Sequence, residues 1–195
     1  MSDAIDLGVF RRDLHAHPEI SGEEKKTAMR VLAVLNGLKP DALLTEVGGT
    51  GILATFGTDE QGPQVMLRCE LDALPIQEVN DFGHQSTSKG VSHKCGHDGH
   101  MAILTGLAEK FSRERPTTGR VHLLYQPAEE NGAGAAAVLK DPRMKERHFD
   151  LVLALHNLPG YPLGSAVVRK GAFTASVNSM VIALEGRTSH AAEPE

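Results

Sequence analysis

The chain has 195 residues, of which 41% are hydrophobic and 23% charged, with a net charge of −5. This is the composition of an ordinary soluble protein, and because no block of like charge occurs, neither nucleic acid nor an anionic membrane surface is an expected partner. The sequence contains no apolar run of about 18 residues, so no membrane span is predicted. The N-terminus lacks the apolar core of a signal peptide. Cys69 and Cys95 do not indicate a disulfide framework, so we expect a cytoplasmic protein with free thiols.

Helical patterns dominate the first forty residues. The spacing of apolar residues predicts one helix over residues 4–17 and a second within residues 21–38. Ser21 is the expected N-cap of the second helix, because Glu24 follows three residues later, as in a capping box.

Two more helices are expected further along the chain. One covers residues 98–114, with Asp98 as its N-cap. The other runs through residues 128–141, and Pro127 suits the first position of that helix.

Short apolar runs bounded by Gly or Pro alternate with these helices and predict strands. Such an alternation indicates an α/β fold with a mainly parallel sheet that helices cover on both faces. After about Phe173 the hydrophobic pattern alternates more closely, so we place a domain boundary there and interpret residues 174–195 as the first strand of a second, incomplete domain. The expected strands of the first domain lie within residues 51–57, 64–72, 120–126, 151–157 and 165–171.

Side chains that can bind metal follow several of these strands. In open α/β sheets, binding sites form outside the carboxyl ends of the strands, and the stretch SHKCGHDGH, residues 92–100, lies just before a predicted helix. The convergence of four segments on one edge of a sheet predicts a metal site more strongly than any single residue does. The ligand-type side chains that end the strands are Glu70, Asp72, Glu129, Glu130 and His156.

Each of these residues also has a structural interpretation. Cys95 and His97 are two residues apart, so both can face one ion, but this short pattern equally suits a small buried cysteine and a histidine at a helix start. Glu129 and Glu130 can act as metal ligand and proton carrier, or they can serve the dipole at a helix N-terminus. His156 can be a structural residue that ends a strand.

Asp72 has the same ambiguity. It either caps a turn or holds a metal-binding imidazole in the required tautomer. A mixed set of Cys, His and Glu ligands is unlike a structural zinc site, which favours closed, cysteine-rich sets. It suits metal-assisted hydrolysis instead.

Six segments, in order along nearly the whole chain, resemble successive motifs of the M20 metallopeptidase clan. Within that clan they resemble the aminoacylase-type amidohydrolases, which include hippurate hydrolases and indole-acetyl-amino-acid hydrolases. The peptidase branches usually have a His-x-Asp motif where this chain has Glu70-Leu71-Asp72, which favours the amidohydrolases. The segments are RRDLHAHPEISGEE, LRCELDALPIQE, HKCGHDGHMAILTGLA, LLYQPAEENGAGA, LHNLPG and GRTSHAAEP.

The resemblance implies a role for each matching residue. It makes Glu129 the general base, Asp72 a supporting catalytic residue, and His190 a residue of a lid domain that binds substrate. It also implies that residues 1–173 are the N-terminal part of a metal-binding catalytic domain, and that residues 174–195 begin an inserted α+β lid and dimerisation domain. The implied metal ligands are Cys95, His97, Glu130 and His156.

The resemblance further implies two divalent ions per complete subunit, with zinc or manganese expected before cobalt or nickel. The implied substrate is an N-acyl amino acid, and the implied assembly is a homodimer formed through the lid. Two features depart from the family pattern: Glu70 replaces the usual aspartate, and a final ligand histidine, which the family supplies later in its sequence, is not among these residues. The alternatives are a di- or aminopeptidase of the same clan, or a non-catalytic fragment that binds metal only.

Overall fold

The structure, a computed structural model, describes residues 4–174, 176, 180, 182–187, 190 and 192. The chain divides into two units, Met1–Asn157 and Leu158–Glu195. Every helix and strand of the described residues belongs to the first unit. None of these helices combines the length and the apolar character that a membrane crossing requires.

The described residues form five strands in one sheet. The strand order is β1-β2-β4-β3-β5, in which β4, β3 and β5 pair in parallel, while the pairs β1–β2 and β2–β4 are antiparallel. The α/β class is therefore confirmed, with a sheet that is mixed and open. The strands are β1 (Ala42–Val47), β2 (Gly51–Phe56), β3 (Gln64–Glu70), β4 (Arg120–Gln126) and β5 (Leu151–Ala154).

Helices cover both faces of this sheet, as the alternating pattern predicts. On one face, the first three helices pack around a core that includes Leu35, Leu104 and Tyr125. On the other face, a smaller core that contains Leu53 and Val138 lies under the two short helices. The helices are α1 (Leu7–Ala16), α2 (Lys25–Leu38), α3 (His97–Arg113), α4 (Gly134–Lys140) and α5 (Pro142–Lys145).

The predicted capping box at the start of α2 is wrong. The helix begins at Lys25, and Ser21 Oγ donates instead to Asp72 Oδ2 at 2.6 Å. The carboxylate of Glu24 is fully buried and accepts a hydrogen bond from the backbone N–H of Ala128 at 2.8 Å. Both polar side chains are thus bonded to residues far away in the sequence, and the local capping pattern is overridden.

The other two predicted helix starts are also wrong. Helix α3 begins one residue before Asp98, whose carboxylate faces Arg11 of α1, with 3.1 Å between Oδ2 and Nε. The helix predicted over residues 128–141 is only α4, which begins at Gly134. Ala128 has a φ of 47°, which a right-handed helix does not allow, and the residues that follow it form a turn.

Two elements were not predicted, and one predicted strand is absent. Strand β1 and the short helix α5 are the additions. Residues 165–171 are all described, are exposed and form no strand, since none of the described strands pairs with them. The described residues of the strand expected over 174–186, which include 182–186, are not in a strand, and the other residues of this stretch lie outside the described ones. The proposed boundary near Phe173 remains a prediction.

Candidate metal centre

The predicted ligands of the first unit meet at the carboxyl ends of β3, β4 and β5. Cys95 Sγ lies 3.3 Å from His156 Nε2. His97 Nε2 lies 3.7 Å from Glu130 Oε1 and 3.9 Å from Glu129 Oε2. The predicted ligands form two groups that both contain His97: Cys95 with His97 and His156, and His97 with Glu129 and Glu130. Within each group the ligand atoms are no more than 4.8 Å apart. Glu70 and His100 form a third group with His97 at the same spacing.

The parallel strands explain why these residues meet. Glu70 is level with Gln126 across the β3–β4 pair, and Arg68 is level with Ala154 across the β3–β5 pair. The three strands therefore end close together, and the segments that follow them enter the same region. The strand-end rule predicted this convergence correctly.

Hydrogen bonds around Asp72 orient His97. His97 Nδ1 lies 2.8 Å from the backbone carbonyl oxygen of Asp72, to which it can donate, and 3.6 Å from Asp72 Oδ1. Donation by Nδ1 leaves the lone pair of Nε2 directed at the site. The hydroxyl of Ser21 and the backbone N–H of Glu130 donate to Asp72 Oδ2 at 2.6 and 2.9 Å.

The same hydrogen bonds keep Asp72 ionised. Burial on its own would raise the pKa of this carboxyl, but the nearby His97 imidazole and the hydrogen bonds from Ser21 and the backbone N–H of Glu130 outweigh it and lower the pKa to about 2. The pKa of His97 is raised, because the hydrogen bonds to Asp72 and the charge of Glu70 outweigh the effect of burial. Asp72 thus ties the turn that carries Glu130 to the imidazole of His97.

Glu129 and Glu130 lie in a turn that follows β4 and not in a helix. The turn begins at Ala128, whose N–H bonds to the buried carboxylate of Glu24, and it closes with a bond from Gly132 N–H to the Glu129 carbonyl at 2.8 Å. The two side chains differ in accessibility: that of Glu130 is 16% exposed and that of Glu129 is 39% exposed.

Two buried atoms of the predicted ligands lack a hydrogen-bond partner among the described residues. They are His97 Nε2 and Glu130 Oε1, the same atoms that lie 3.7 Å apart. Buried polar atoms without a partner are costly, by about 1–3 kcal/mol each, and are uncommon in folded proteins. Both carry lone pairs, so a cation between them would satisfy both.

The electrostatics of Cys95 point in the same direction. Burial and the carboxylate of Glu130 raise the pKa of this thiol to about 12. The site therefore has a negative potential that disfavours a thiolate unless positive charge is present. A divalent ion would supply that charge and would deprotonate the thiol. The donor set of thiol, imidazole and carboxylate therefore fits zinc and related ions.

Glu70 and His100 form a second layer behind these residues. His100 Nδ1–H donates to Glu70 Oε2 at 2.8 Å, and Arg68 Nη1 lies 2.6 Å from Glu70 Oε1. Glu70 stands where the family usually has an aspartate, and the sequence motifs assign no role to His100. The spacing of His97 and His100, three residues apart, was an available signal, because residues at that spacing share a helix face.

Two further residues lie as follows. Cys69 is buried in β3. His190 belongs to the second unit, where its Nδ1 accepts a hydrogen bond from the backbone N–H of Ala192 at 3.3 Å. Its substrate-binding role remains a prediction.

The fold and the cluster together define a candidate metal-dependent hydrolase. Comparison with known sequences identifies the family: the sequence profile of "Peptidase family M20/M25/M40" matches residues 66–193. The chain belongs to this family. The resemblance that the six motifs indicated is thereby confirmed.

Several curated relatives of the chain are deacetylases. It is 37% identical over 190 residues to the N-acetyl-L-cysteine deacetylase of Bacillus subtilis, which covers 95% of this chain and 44% of the relative. It is 38% identical over 186 residues to the N-acetyldiaminopimelate deacetylase of Halalkalibacterium halodurans, which covers 94% of this chain and 49% of the relative. The chain thus spans about half the length of the curated relatives that it matches.

A solved structure of the same family also resembles this chain. The crystal structure of the Bacillus subtilis YXEP protein, described as a dinuclear metal-binding peptidase of the M20 family, matches with a TM-score of 0.74 and 35% identity, over 80% of this chain and 43% of that chain. Human carnosine dipeptidase 1 matches with a TM-score of 0.59 and 14% identity, over 78% of this chain and 38% of that chain, which is a likeness of fold alone.

Proposed function

We propose that this chain is part of a metal-dependent amidohydrolase that cleaves the amide bond of N-acyl amino acids with a metal-activated water. The observation that carries the proposal is the pair of ligand groups that share His97, with the facing lone pairs of His97 Nε2 and Glu130 Oε1 left without partners among the described residues. The deacetylase relatives support the substrate class, because their named substrates are N-acetylated amino acids.

The proposed ligands on this chain are Cys95, His97, Glu130 and His156, and the proposed cofactors are two divalent ions, with zinc or manganese as the first candidates. When bound, such ions lower the pKa of a water and polarise a carbonyl oxygen. The dinuclear centre that is named for the YXEP protein supports this number of ions.

Glu129 is the proposed general base and acid. Its carboxylate lies beside His97 Nε2 but is more open to solvent than that of Glu130. A carboxylate that accepts and releases protons needs access to water and substrate, whereas a ligand is best held still. Glu129 would take a proton from the attacking water and deliver it to the nitrogen of the leaving amine.

Other groups complete the proposal. Asp72 would keep the His97 imidazole in the tautomer that presents Nε2 to the site. His190 would bind substrate from a lid domain, and the lid would also form a homodimer. The free thiols of Cys69 and Cys95 suit the reducing cytoplasm that we propose as its location.

Hydrolysis assays on a substrate panel test this function. The panel contains N-acetylcysteine, N-acetyldiaminopimelate, hippurate and dipeptides, each with added Mn²⁺ or Zn²⁺. We expect the N-acyl amino acids to be cleaved and Glu129→Gln to retain metal while losing nearly all turnover, by about 10²–10⁴-fold. Cleavage of dipeptides alone would assign the chain to a peptidase branch, and near-normal turnover by Glu129→Gln would remove this residue from its role.

A further inference from the structure

His100 is bonded at both nitrogens of its ring. The side chain is 1% exposed, and its Nδ1–H donates to Glu70. Its Nε2 accepts the backbone N–H of Asn157 at 3.1 Å, and the Asn157 side-chain amide lies 2.8 Å from the same nitrogen, to which it donates when its NH₂ group faces the ring. A ring that is committed on both sides is not available as a metal ligand or a proton carrier. It connects a strand of the sheet to the segment that follows β5.

Glu70 anchors this ring to the sheet. Its second carboxylate oxygen forms an ion pair with Arg68. Arg68 Nε in turn donates to the Gln126 side chain at 3.0 Å, on the neighbouring strand. Glu70 and Arg68 are both on β3, so the position of His100 is fixed by two strands of the sheet. The Glu70 side chain, which is longer than the aspartate usual at this position, reaches the His100 ring from the end of β3 without a bridging group.

Asn157 contacts both of the segments that carry the proposed ligands Cys95 and His156. It directly follows His156, whose Nδ1 lies 2.8 Å from the Asn157 carbonyl oxygen. Its side chain also packs against Gly96, which lies between Cys95 and His97: a Cβ at Gly96 would lie only 2.6 Å from Asn157 Oδ1. Asn157 therefore fills the space that the absent side chain leaves.

Few other contacts hold His156 in place. Strand β5 pairs only with β3 among the described strands, and all four of its residues are exposed. The last registered pair of this ladder is Arg68 with Ala154, two residues before His156. The segment 155–157 thus follows an edge strand whose residues are exposed, and the bonds that Asn157 donates to His100 attach this segment to the interior.

We propose that Glu70, His100 and Asn157 form a positioning relay that holds His156 against Cys95. This inference rests on the proposed metal centre and adds to it three residues that bind no metal. They set the 3.3 Å approach of Cys95 Sγ to His156 Nε2. Partners of metal ligands typically change metal affinity by about 10- to 100-fold when they are removed.

A Co²⁺ titration of the 195-residue chain tests the relay, since a thiolate bound to cobalt gives a charge-transfer absorption that reports on Cys95 directly. In Asn157→Ala, we expect Co²⁺ affinity to fall by about 10- to 100-fold and the charge-transfer band to weaken at saturation. In His100→Leu, we expect the same pair of changes. Urea unfolding of the metal-free proteins should show a near wild-type midpoint for Asn157→Ala, because this residue is exposed.

Matched variants separate positioning from general damage. Asn36→Ala makes the same change at an exposed site on α2 and should leave cobalt binding unchanged. Glu70→Gln retains an oxygen that can accept the His100 Nδ1–H and should recover most of the affinity that Glu70→Leu loses. Equal affinity and equal bands in wild type and Asn157→Ala would overturn the relay alone, whereas a wild type that binds no cobalt would overturn the metal centre and the relay together.

Discussion

His97 and His156 bring imidazole rings to one site from very different surroundings. His97 is buried at the start of α3, and its Nδ1 is bonded to the backbone of Asp72 at the end of β3. His156 is exposed and follows an edge strand with exposed residues. A residue within the core is held by many contacts, so its position survives the loss of one. A residue beyond an edge strand depends on a few hydrogen bonds, which here come from Asn157.

Gly96→Ala should have the largest effect on metal binding, because Gly96 lies next to His97 and also contacts Asn157, which supports His156. Gly96 has a φ of 92°, and the new Cβ would meet Asn157 Oδ1 at 2.6 Å. The left-handed conformation costs a residue with a side chain about 1–2 kcal/mol, and relief of the clash would displace Asn157. We expect cobalt binding to be lost and the free energy of unfolding to fall by about 1–2 kcal/mol or more, as measured by titration and urea unfolding.

Gly37→Ala is the control for that prediction. A Cβ at Gly37, within α2, would meet no atom within 4 Å. Alanine also favours a helix over glycine by about 1 kcal/mol. This variant should therefore bind cobalt normally and be no less stable than wild type, and a wild-type metal affinity in Gly96→Ala would show that the Asn157 contact has no importance.

Asp72→Ala should have the second-largest effect on metal binding, because it disturbs the surroundings of His97 alone. The variant leaves the Ser21 hydroxyl and the Glu130 N–H without their acceptor, which costs about 1–3 kcal/mol for each donor that stays buried. Metal affinity should fall by about 10- to 100-fold. At saturating cobalt, however, the thiolate band of Cys95 should remain, in contrast to Asn157→Ala.

Asp72→Asn separates the two losses in that prediction. Its side-chain oxygen can still accept both hydrogen bonds, so most of the stability should return, while the negative charge stays absent. If the cobalt spectra of Asp72→Ala and Asn157→Ala prove identical, the two sides of the site are not independently supported.

Glu78→Gln should have the smallest effect on metal binding, because Glu78 belongs neither to the surroundings of His97 nor to those of His156. Burial would raise the pKa of Glu78, but the ion pair with Lys94 and hydrogen bonds from Ser86 N–H and Asn80 lower it from 4.5 to about 2. A carboxyl with a lowered pKa stabilises the fold fully above its unfolded pKa and loses that contribution as the pH falls towards its folded pKa. Urea unfolding at neutral pH and at about pH 3 should therefore show a smaller acid-induced loss of stability in Glu78→Gln than in wild type. An equal loss would assign the acid sensitivity to other carboxyls.

The convergence of the ligands could be predicted from the sequence because it depends on strand order and strand ends alone. Hydrophobic runs located β2, β3, β4 and β5, and the strand-end rule then placed Glu129, Glu130 and His156 together. Strand β1 was missed, because its burial is only partial and its apolar pattern is weak. The strand expected at residues 165–171 was wrong, because an apolar run forms a strand only where a neighbour pairs with it.

The helix caps and the second layer could not be predicted, because their partners are distant in the sequence. Ser21 bonds to Asp72, 51 residues away, and Arg11 bonds to Asp98, 87 residues away. His100 meets Asn157 across 57 residues. Local patterns such as a capping box assume that a polar side chain is free to serve its own helix, and these side chains are not.

Metal content per chain is the measurement that tests the metal centre most directly. Mass spectrometry would be applied to wild type, His97→Ala, Cys95→Ala and His148→Ala, all purified identically and soaked with zinc or manganese. We predict about one to two metal equivalents in wild type and in the exposed control His148→Ala. Cys95→Ala should hold less, and His97→Ala, which removes the ligand that both groups share, should hold almost none. A wild type without metal, or a His97→Ala variant with the metal content of the wild type, would contradict the proposed metal centre.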